Sequence, residues 1–581
     1  MENAAIARVF QEIADLLEIK GENAFRIRAY RAAADSVADC PERVADLPAD
    51  RLHELPGIGK DLAAKIRELA DTGGLAYHRT LLEEFPPSIL DLLKLQGVGP
   101  KTVALLYRTL GISTLDELES AASTGRLRAI KGMGAKKEEL ILKALDERRR
   151  FSGRHLLADT HRVASTLVEH LRARAPHATI EPVGSLRRGS ETCGDIDILA
   201  AGAPPEIMDW FTSAPAIARV LGRGDTKSSV LLDDGYQADL RLVPPESLGA
   251  ALQYFTGSKA HNIALRDRAL QRGLKLNEYG LFTVDDGTRV AGATEQEIYA
   301  ALDLPFVPPE LREHRGEIEA AGERRLPALI DRGDLRGDVH MHTTATDGHD
   351  DIETMARAAE ALGYEYLAIT DHSKALAMAN GLDERRALAH AKAIREVGRR
   401  LEHVTVLAGI ECDIRPDGSL DLADDCLAQL DLVIASVHSG FNQDEAQMTD
   451  RVLAALDNPW VDVLGHPTGR LLLRRDPYRL DVERVIQAAA DAGVALEINS
   501  QPDRLDLSDV QARLARDRGV PIVISTDAHS HRGLDLVRWG IAVARRAWLE
   551  APDVLNTRPF GEFRARLRRH RTSDARIASR R

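Results

Sequence analysis

The stretch LRGDVHMHTTATDGHD, residues 335–350, places His340 and His342 two apart, with Asp347 shortly after. On a β-strand, residues two apart project from one face. A strand ending in DVHMH therefore aims both imidazoles at one point. Related side chains recur at the ends of short apolar runs downstream. YLAITDH ends at His372, VLAGIE at Glu411, LVIASVH at His438, VDVLGH at His466, and PIVISTDAH at Asp527 and His529; ALEINS alone ends without a ligand, at Asn499. A single member such as His466, before Pro467, reads as structural more readily than as a ligand. Nine such side chains in register read as a metal cluster. They exceed the needs of two ions and suggest three. Imidazole and carboxylate without thiolate suit Mn²⁺, Fe²⁺ or Zn²⁺. A cluster of that kind activates water near neutral pH and clamps a phosphodiester.

A second chemical constellation lies upstream, in VGSLRRGSETCGDIDILA, residues 183–200. Asp195 and Asp197, just after Gly194, share one face of a strand pattern. Asp239 follows in GYQADLRLV. Three carboxylates on adjacent strands hold two Mg²⁺ or Mn²⁺ ions in the arrangement needed for in-line displacement at phosphorus. Gly184 and Ser185, with Arg187 and Arg188 beside them, make a turn suited to a triphosphate. A lone DxD is weak, whereas GS-x-RRG followed by GDID is far more specific. A third pattern repeats three times: LPGIGKDLAAKI (Gly57, Gly59, Lys60), LQGVGPKTVALL (Gly97, Gly99, Lys101) and IKGMGAKKEELIL (Gly132, Gly134, Lys136 and Lys137). Each is a tight glycine turn, then a basic residue and a helical run, so free N–H groups and an ammonium face one anion. The repetition resembles helix-hairpin-helix motifs, which grip DNA phosphates without reading sequence.

These groups need scaffolds. After about residue 335, short apolar strands alternate with helical stretches, which predicts βα units around a parallel sheet. In a βα barrel all strand C-termini open on one face, where active sites form. A chain of 581 residues suggests several domains. With 44% apolar and 29% charged residues it reads as a soluble globular protein. No apolar run is long enough to cross a membrane. The start reads as an amphipathic helix rather than a secretory signal. Cys40, Cys193, Cys412 and Cys426 show no CxxC spacing, so a reducing, cytoplasmic setting is expected. The net charge of −13 does not advertise a nucleic-acid binder, so any DNA contact must be local. The arginine-rich tail RARLRRHRTSDARIASRR reads as a solvated end.

One further stretch, LQYFTGSKAHNIALRDRALQRGLKLNEYGLF at residues 252–282, joins GS-x-RRG, GDID and the third aspartate in a combination that resembles the family X DNA polymerases. The resemblance implies that Asp195, Asp197 and Asp239 ligate two catalytic metals, and that Ser185 and Arg188 meet the nucleotide phosphates. It places Tyr254, Phe255 and Gly257 against the incoming sugar, and Asn262 and Arg266 at the nascent pair and template. Lys259 stands where DNA polymerase beta has an acidic residue, a departure in the nucleotide contacts. NAFRIRAYRAAADSV and the first hairpin are similar to that family's small lyase domain, with Lys65 at the Schiff-base position. The alternative for Lys65 is an ordinary exposed helix lysine. The nine-ligand set resembles the PHP (polymerase and histidinol phosphatase) domain, a distorted seven-stranded barrel holding up to three metal ions, and all nine positions are present.

The expected architecture is multidomain. It comprises a small lyase-like helical domain (1–80), fingers with two helix-hairpin-helix motifs (81–150), an α+β nucleotidyltransferase palm (151–251), a thumb (252–315), a linker (316–334) and a (β/α)7 PHP barrel (335–575). The expected activity is gap-filling DNA synthesis in repair, using gapped or primer–template DNA and deoxynucleoside triphosphates. A metal-dependent 3′–5′ exonuclease accompanies it, with abasic or 3′-phosphate ends as further substrates, in a monomer. The rival readings are a nuclease-dominated repair enzyme with a vestigial polymerase, and a non-catalytic DNA-bridging scaffold.

Overall fold

Each Gly-hydrophobic-Gly stretch of the first 150 residues leads into a helix: α1 (Lys60–Thr72), α2 (Pro100–Leu110) and α3 (Gly134–Phe151). In α1 the buried residues Leu62, Ala63, Ile66 and Leu69 recur at helical spacing and leave Lys60 exposed. Left-handed Gly73 and Gly111 end α1 and α2. These helices share one core with Phe10, Leu16 and Leu17 from the first helix, Asn3–Lys20. The structure, a computed structural model, describes residues 3–568 apart from 41–43, 46, 56, 87, 94, 96–97 and 152. It divides into two compact units, Met1–Ser152 and Gly153–Arg581. No helix among the described residues is long and apolar enough to cross a membrane.

The second unit begins with a sheet of β1 (Thr179–Pro182), β2 (Ile196–Ala201), β3 (Ile217–Arg223), β4 (Lys227–Leu232) and β5 (Gln237–Val243), in the order β1-β2-β5-β4-β3 among the described residues. β2 and β5 run parallel, which sets Asp197 opposite Asp239. Next come α4 (Leu248–Thr256), α5 (Lys259–Leu270), a small antiparallel sheet over 274–291 and α6 (Glu295–Ala301). The stretch 316–334, expected to act as a linker, does not run free. It forms a helix, Glu317–Gly322, whose Ile318 and Ala321 join the core of Leu265, Ile298 and Tyr299, together with Trp548 from far downstream. Buried Glu317 takes His261 Nδ1 at 2.6 Å, and the Tyr299 hydroxyl lies 2.9 Å from His261 Nε2.

The last part is a parallel sheet of seven strands among the described residues, in chain order: β6 (Gly337–Asp338), β7 (Tyr366–Ile369), β8 (Thr405–Asp413), β9 (Leu432–Ser436), β10 (Val463–Leu464), β11 (Ala495–Asn499) and β12 (Ile522–Ser525). A bridge between Met341 and Ala528 brings the first strand back to the last, so the sheet is a nearly closed barrel. Alternate residues separate into two cores. Tyr366, Ala368, Leu432, Ile434, Val463 and Val523 join Phe563 in one. Leu367, Ile369, Val433, Leu464 and Ile524 belong to the other, with Ile486, Ala512 and Ala544 from helices packed around the sheet. Among those helices are α7 (Asp509–Asp517) and α8 (Val537–Arg546).

Two candidate active sites and a nucleic-acid interface

At one mouth of the barrel the nine sequence-selected side chains converge. His342 Nε2 lies 3.0 Å from Asp527 Oδ1, His372 Nδ1 2.8 Å from Glu411 Oε2, and His466 Nε2 3.0 Å from Glu411 Oε1. His438 Nε2 is 3.3 Å from Glu411 Oε1, and Asp347 Oδ2 is 3.4 Å from His372 and 3.6 Å from His529. His340 Nε2 stands 3.5 Å from Glu411 Oε2. Three overlapping groups have ligand atoms close enough to share an ion: His342, Asp347, His372 and His529; His340, His342 and Asp527; His372, Glu411 and His438. His466 belongs to none of these groups but abuts Glu411. Glu411 differs from the expected strand end. β8 runs on to Asp413 because its first half pairs with β7 and its second half with β9.

The cluster fits divalent ions on its own chemistry. His340 Nε2, His342 Nδ1, Asp347 Oδ1, His372 Nδ1, Glu411 Oε2 and His438 Nδ1 are buried without a hydrogen-bond partner. Such atoms cost free energy unless something satisfies them. His372 Nδ1 and Glu411 Oε2 approach closely without hydrogen-bond alignment, as two ligands of one ion would. Burial alone would raise the Glu411 carboxyl, but His438, His340 and His372 pull it well below the usual range. Burial likewise opposes protonation of His372 and His438, yet the Glu411 charge lifts them to about 10 and about 9. His342 moves the other way, to about 4, through burial and then the neighbouring His372.

Sequence reasoning missed the residues that aim these ligands. Glu497 in β11 holds His340 Nδ1 at 2.7 Å and accepts from the His466 amide at 2.6 Å. Asn499, passed over as a strand end without a ligand, donates to Glu497 and to Asp527 Oδ2. Their spacing of two in ALEIN was the available signal, since both must face the same way. Such partners fix ring orientation and tautomer.

In the five-stranded sheet, Asp197 and Asp239 stand side by side, and Asp195 lies exposed one residue before β2. Burial, then Asp195 and Asp239, push the Asp197 carboxyl up to about 6. Asp239 is also buried, but Lys227 of β4, with Nζ at 2.7 Å, holds it below the ordinary carboxylate range. Lys227 was not foreseen. Gly184 has φ +67, and a Cβ there would come 2.8 Å from Asp197 Oδ2, so the glycine-serine turn presses directly on the carboxylates. Gly194 precedes Asp195, and Ser185 lies beside the buried Cys193 thiol, which burial pushes up.

Arg187 is not available to a triphosphate, because Glu295 takes it at 3.0 and 2.6 Å and the Thr256 hydroxyl at 2.6 Å. Arg188 gives Nε to Glu313 (3.0 Å) and Nη1 to the Thr256 carbonyl (2.6 Å); its Nη2 has no hydrogen bond among the described residues. Gly257 (φ +71) ends α4 after Tyr254 and Phe255. Asn262, expected at the nascent pair, donates to the Tyr254 carbonyl (2.7 Å) and accepts from Gln253 (2.7 Å), which ties it to that turn. Lys259 is exposed, and Arg266 is half-buried on α5.

In the N-terminal unit, Gly59 and Gly99 cap α1 and α2, Gly57 and Gly132 have φ +75 and +92, and Gly134 opens α3. Lys60, Lys101 and Lys136 are exposed at these helix starts. Gly97 lies outside the described residues. Lys65 is not an exposed helix lysine. Its side chain is 14% accessible, pairs with Asp61 and lies within 6 Å of the Tyr30 and Tyr77 ring centres, at 5.9 and 5.7 Å.

Comparison with known proteins agrees with this layout. The chain matches a helix-hairpin-helix domain over residues 1–75, a SAM-like helix-hairpin-helix tandem over 89–147, a DNA polymerase beta thumb over 251–313 and a PHP domain over 338–501. It is 40% identical over 573 residues to the "DNA polymerase/3'-5' exonuclease PolX" of Bacillus subtilis (strain 168), covering 98% of this chain and 100% of that protein. About a third of the chain is also similar to proteins named "Probable phosphatase". One from Thermoanaerobacter sp. (strain X514) is 30% identical over 38% of this chain and 89% of its own length. One from Acetivibrio thermocellus is 32% identical over 33% and 78%. With such similarity over nearly the full length of both chains, the chain belongs to the family of PolX DNA polymerase/3′–5′ exonucleases.

Proposed function

We propose that Asp195, Asp197 and Asp239 hold two Mg²⁺ or Mn²⁺ ions and catalyse nucleotidyl transfer into short gaps, and that the nine barrel side chains hold up to three Mn²⁺, Zn²⁺ or Fe²⁺ ions for 3′–5′ removal of nucleotides. The observation that carries the reading is the coexistence, in one compact unit, of an imidazole-rich barrel cluster whose ligand atoms lie close enough to share ions and a carboxylate pair, Asp197 opposite Asp239, on parallel strands with Asp195 just before them. Bound ions would supply charge neutralisation at phosphate in the sheet site and activation of water in the barrel site. The protein's own work is positional. Asp239 takes the proton of the primer 3′-hydroxyl once Lys227 has moved from its Oδ2. Ser185 and Arg188 Nη2 meet triphosphate oxygens; Gly184 and Gly194 let the backbone approach them. Tyr254, Phe255 and Gly257 line the sugar, with Asn262 holding that turn and Lys259 and Arg266 facing the substrate. The hairpin residues Gly57, Gly59, Lys60, Gly97, Gly99, Lys101, Gly132, Gly134 and Lys136 bind gapped or primer–template DNA at its phosphates. Glu497 keeps His340 Nε2 turned to the metal side. The enzyme acts as a cytoplasmic monomer on DNA and deoxynucleoside triphosphates. Lys65 is the proposed Schiff-base nucleophile on abasic ends, to be trapped by borohydride in wild type and lost in K65A; an adduct that persists in K65A removes the role.

The test uses a 5′-labelled primer on a one-nucleotide-gapped duplex with Mn²⁺ or Mg²⁺, with and without nucleotides. Extension with nucleotides and shortening without them are expected. D197A should abolish only extension and H340A only shortening. Shortening alone in wild type would make the enzyme a nuclease with a vestigial polymerase, and binding without either reaction would make it a scaffold.

A further inference from the structure

The glycine-serine turn of the polymerase site is held from the nuclease barrel. Arg546, the last residue of α8, donates Nη1 to the main-chain carbonyl of Arg188 at 2.9 Å and to Glu313 Oε1 at 2.8 Å. Its Nη2 reaches Asp509 Oδ2 of α7 at 2.9 Å. The same Glu313 oxygen takes Arg188 Nε, and the same Asp509 oxygen takes Arg315 Nη1 at 2.9 Å. Gly189, next in the turn, packs against α8: a Cβ there would stand 3.4 Å from Ala542 and 3.9 Å from Arg546. Farther along, Glu191 is gripped by Arg470 of the barrel at 3.1 and 2.6 Å. Arg546 is 7% exposed and Arg188 15%, so these charges act on one another with little screening by water.

Charge balance gives the arrangement a function. Arg188, Arg315 and Arg546 face Glu313 and Asp509, leaving one net positive charge beside the turn. Glu313 alone would cancel the cation meant for a phosphate; Arg546 offsets it. Burial would raise the Glu313 carboxyl, but Arg546 and Arg188 keep it ionised. The arrangement also fixes two of the three nitrogens of Arg188 and directs Nη2 outward. An arginine held in one geometry loses less freedom when it binds phosphate. We infer that Arg546 of the barrel is a positioning residue of the polymerase site, keeping Arg188 oriented and net positive for the nucleoside triphosphate. The inference rests on the proposed contact between Arg188 and that triphosphate. It makes the nuclease domain part of the polymerase's nucleotide pocket, beyond sharing its chain.

The experiment uses the full-length enzyme on a gapped duplex whose primer ends in a dideoxynucleotide behind a phosphorothioate linkage. The dissociation constant of the complementary deoxynucleoside triphosphate is read by titration, and KM and kcat are then measured on an extendable primer. R546M, which keeps the aliphatic stem, should weaken nucleotide binding about tenfold and raise KM to match, with kcat changed less than threefold. Exonuclease rate and primer–template affinity should match wild type, and those two readings also report that the variant is folded. R546K should stay within threefold of wild type. The double variant R546M/E313Q restores the net positive charge and should recover nucleotide affinity to within threefold. It also removes the unpaired carboxylate, so it serves if R546M alone does not fold. A double variant as weak as a tenfold loss, or an R546M indistinguishable from wild type, would overturn the inference. R188A separates the two claims: if it binds nucleotide as tightly as wild type, the reading of Arg188 fails instead.

Discussion

At residue scale the two sites face opposite problems. Asp197 is held where ionisation is unfavourable, by burial and by the carboxylates of Asp195 and Asp239. Its carboxyl, at about 6, lies above the value of an unfolded aspartate, so its ionised form costs stability. That cost is absent below about pH 4, grows as pH rises through 6 and is complete at neutral pH. D197N should therefore abolish extension yet stabilise the metal-free protein at pH 7.5 by on the order of 1–3 kcal/mol, seen as a higher melting temperature, with no gain at pH 4. A thermal melt in chelator at both values checks this, and an equal gain at both would defeat it. In the barrel, Glu497 orients His340, a proposed ligand, through its Nδ1. E497Q should lower exonuclease activity about 10- to 100-fold through poorer orientation of His340, while leaving extension intact. Initial rates of both reactions on one substrate decide it.

At the scale of elements, α4 packs so tightly that its second residue must be glycine: a Cβ on Gly249 would come 2.1 Å from the Thr294 backbone. G249A should destabilise the second unit by about 1–3 kcal/mol, read from the denaturant midpoint. On the proposed reading each hairpin helix offers its own ammonium to phosphate, so the three should act additively. Replacing Lys60, Lys101 or Lys136 by alanine should weaken DNA binding alike on every sequence and lower the salt-dependence slope by about one per lysine. A sequence-dependent loss would contradict phosphate gripping. The convergence of the nine barrel side chains was legible in the sequence because parallel strands of a βα barrel end on one face, so residue type and strand position sufficed. The three hairpins were legible by repetition. The parallel pairing that sets Asp197 against Asp239 was hidden, because register depends on a partner strand 40 residues away. The bonds of Arg187 and Asn262 were hidden for the same reason: an arginine beside a phosphate turn looks identical whether it meets phosphate or, as here, Glu295. The 316–334 stretch looked like a linker because charge patterning does not reveal that Glu317 is buried against a histidine.

Over the whole molecule, one chain carries a reaction that lengthens a primer and one that shortens it. With nucleotides present, the wild-type enzyme should convert deoxynucleoside triphosphate to monophosphate in excess of net extension. H340A should stop that turnover while lengthening products. Thin-layer analysis of labelled nucleotide measures it directly; monophosphate release that persists in H340A would assign the degradation elsewhere. The net charge of −13 makes general attraction to DNA weak, so both reactions should decline together as salt rises.

The barrel's closure has a mechanical consequence. Its first and last strands meet through the bridge at Met341 and Ala528. His340, His342 and Asp347 stand on one side of this seam, Asp527 and His529 on the other, and the contacting pair His342 and Asp527 is separated by 185 residues of sequence. Ions gripped from both sides would work as a clasp, tying together two distant stretches of chain whose meeting costs loop entropy. Chelation should then open the seam before anything else, with amide exchange accelerating over residues 337–350 and 522–531 ahead of the other strands. The metals that cut the primer would also keep the barrel fastened.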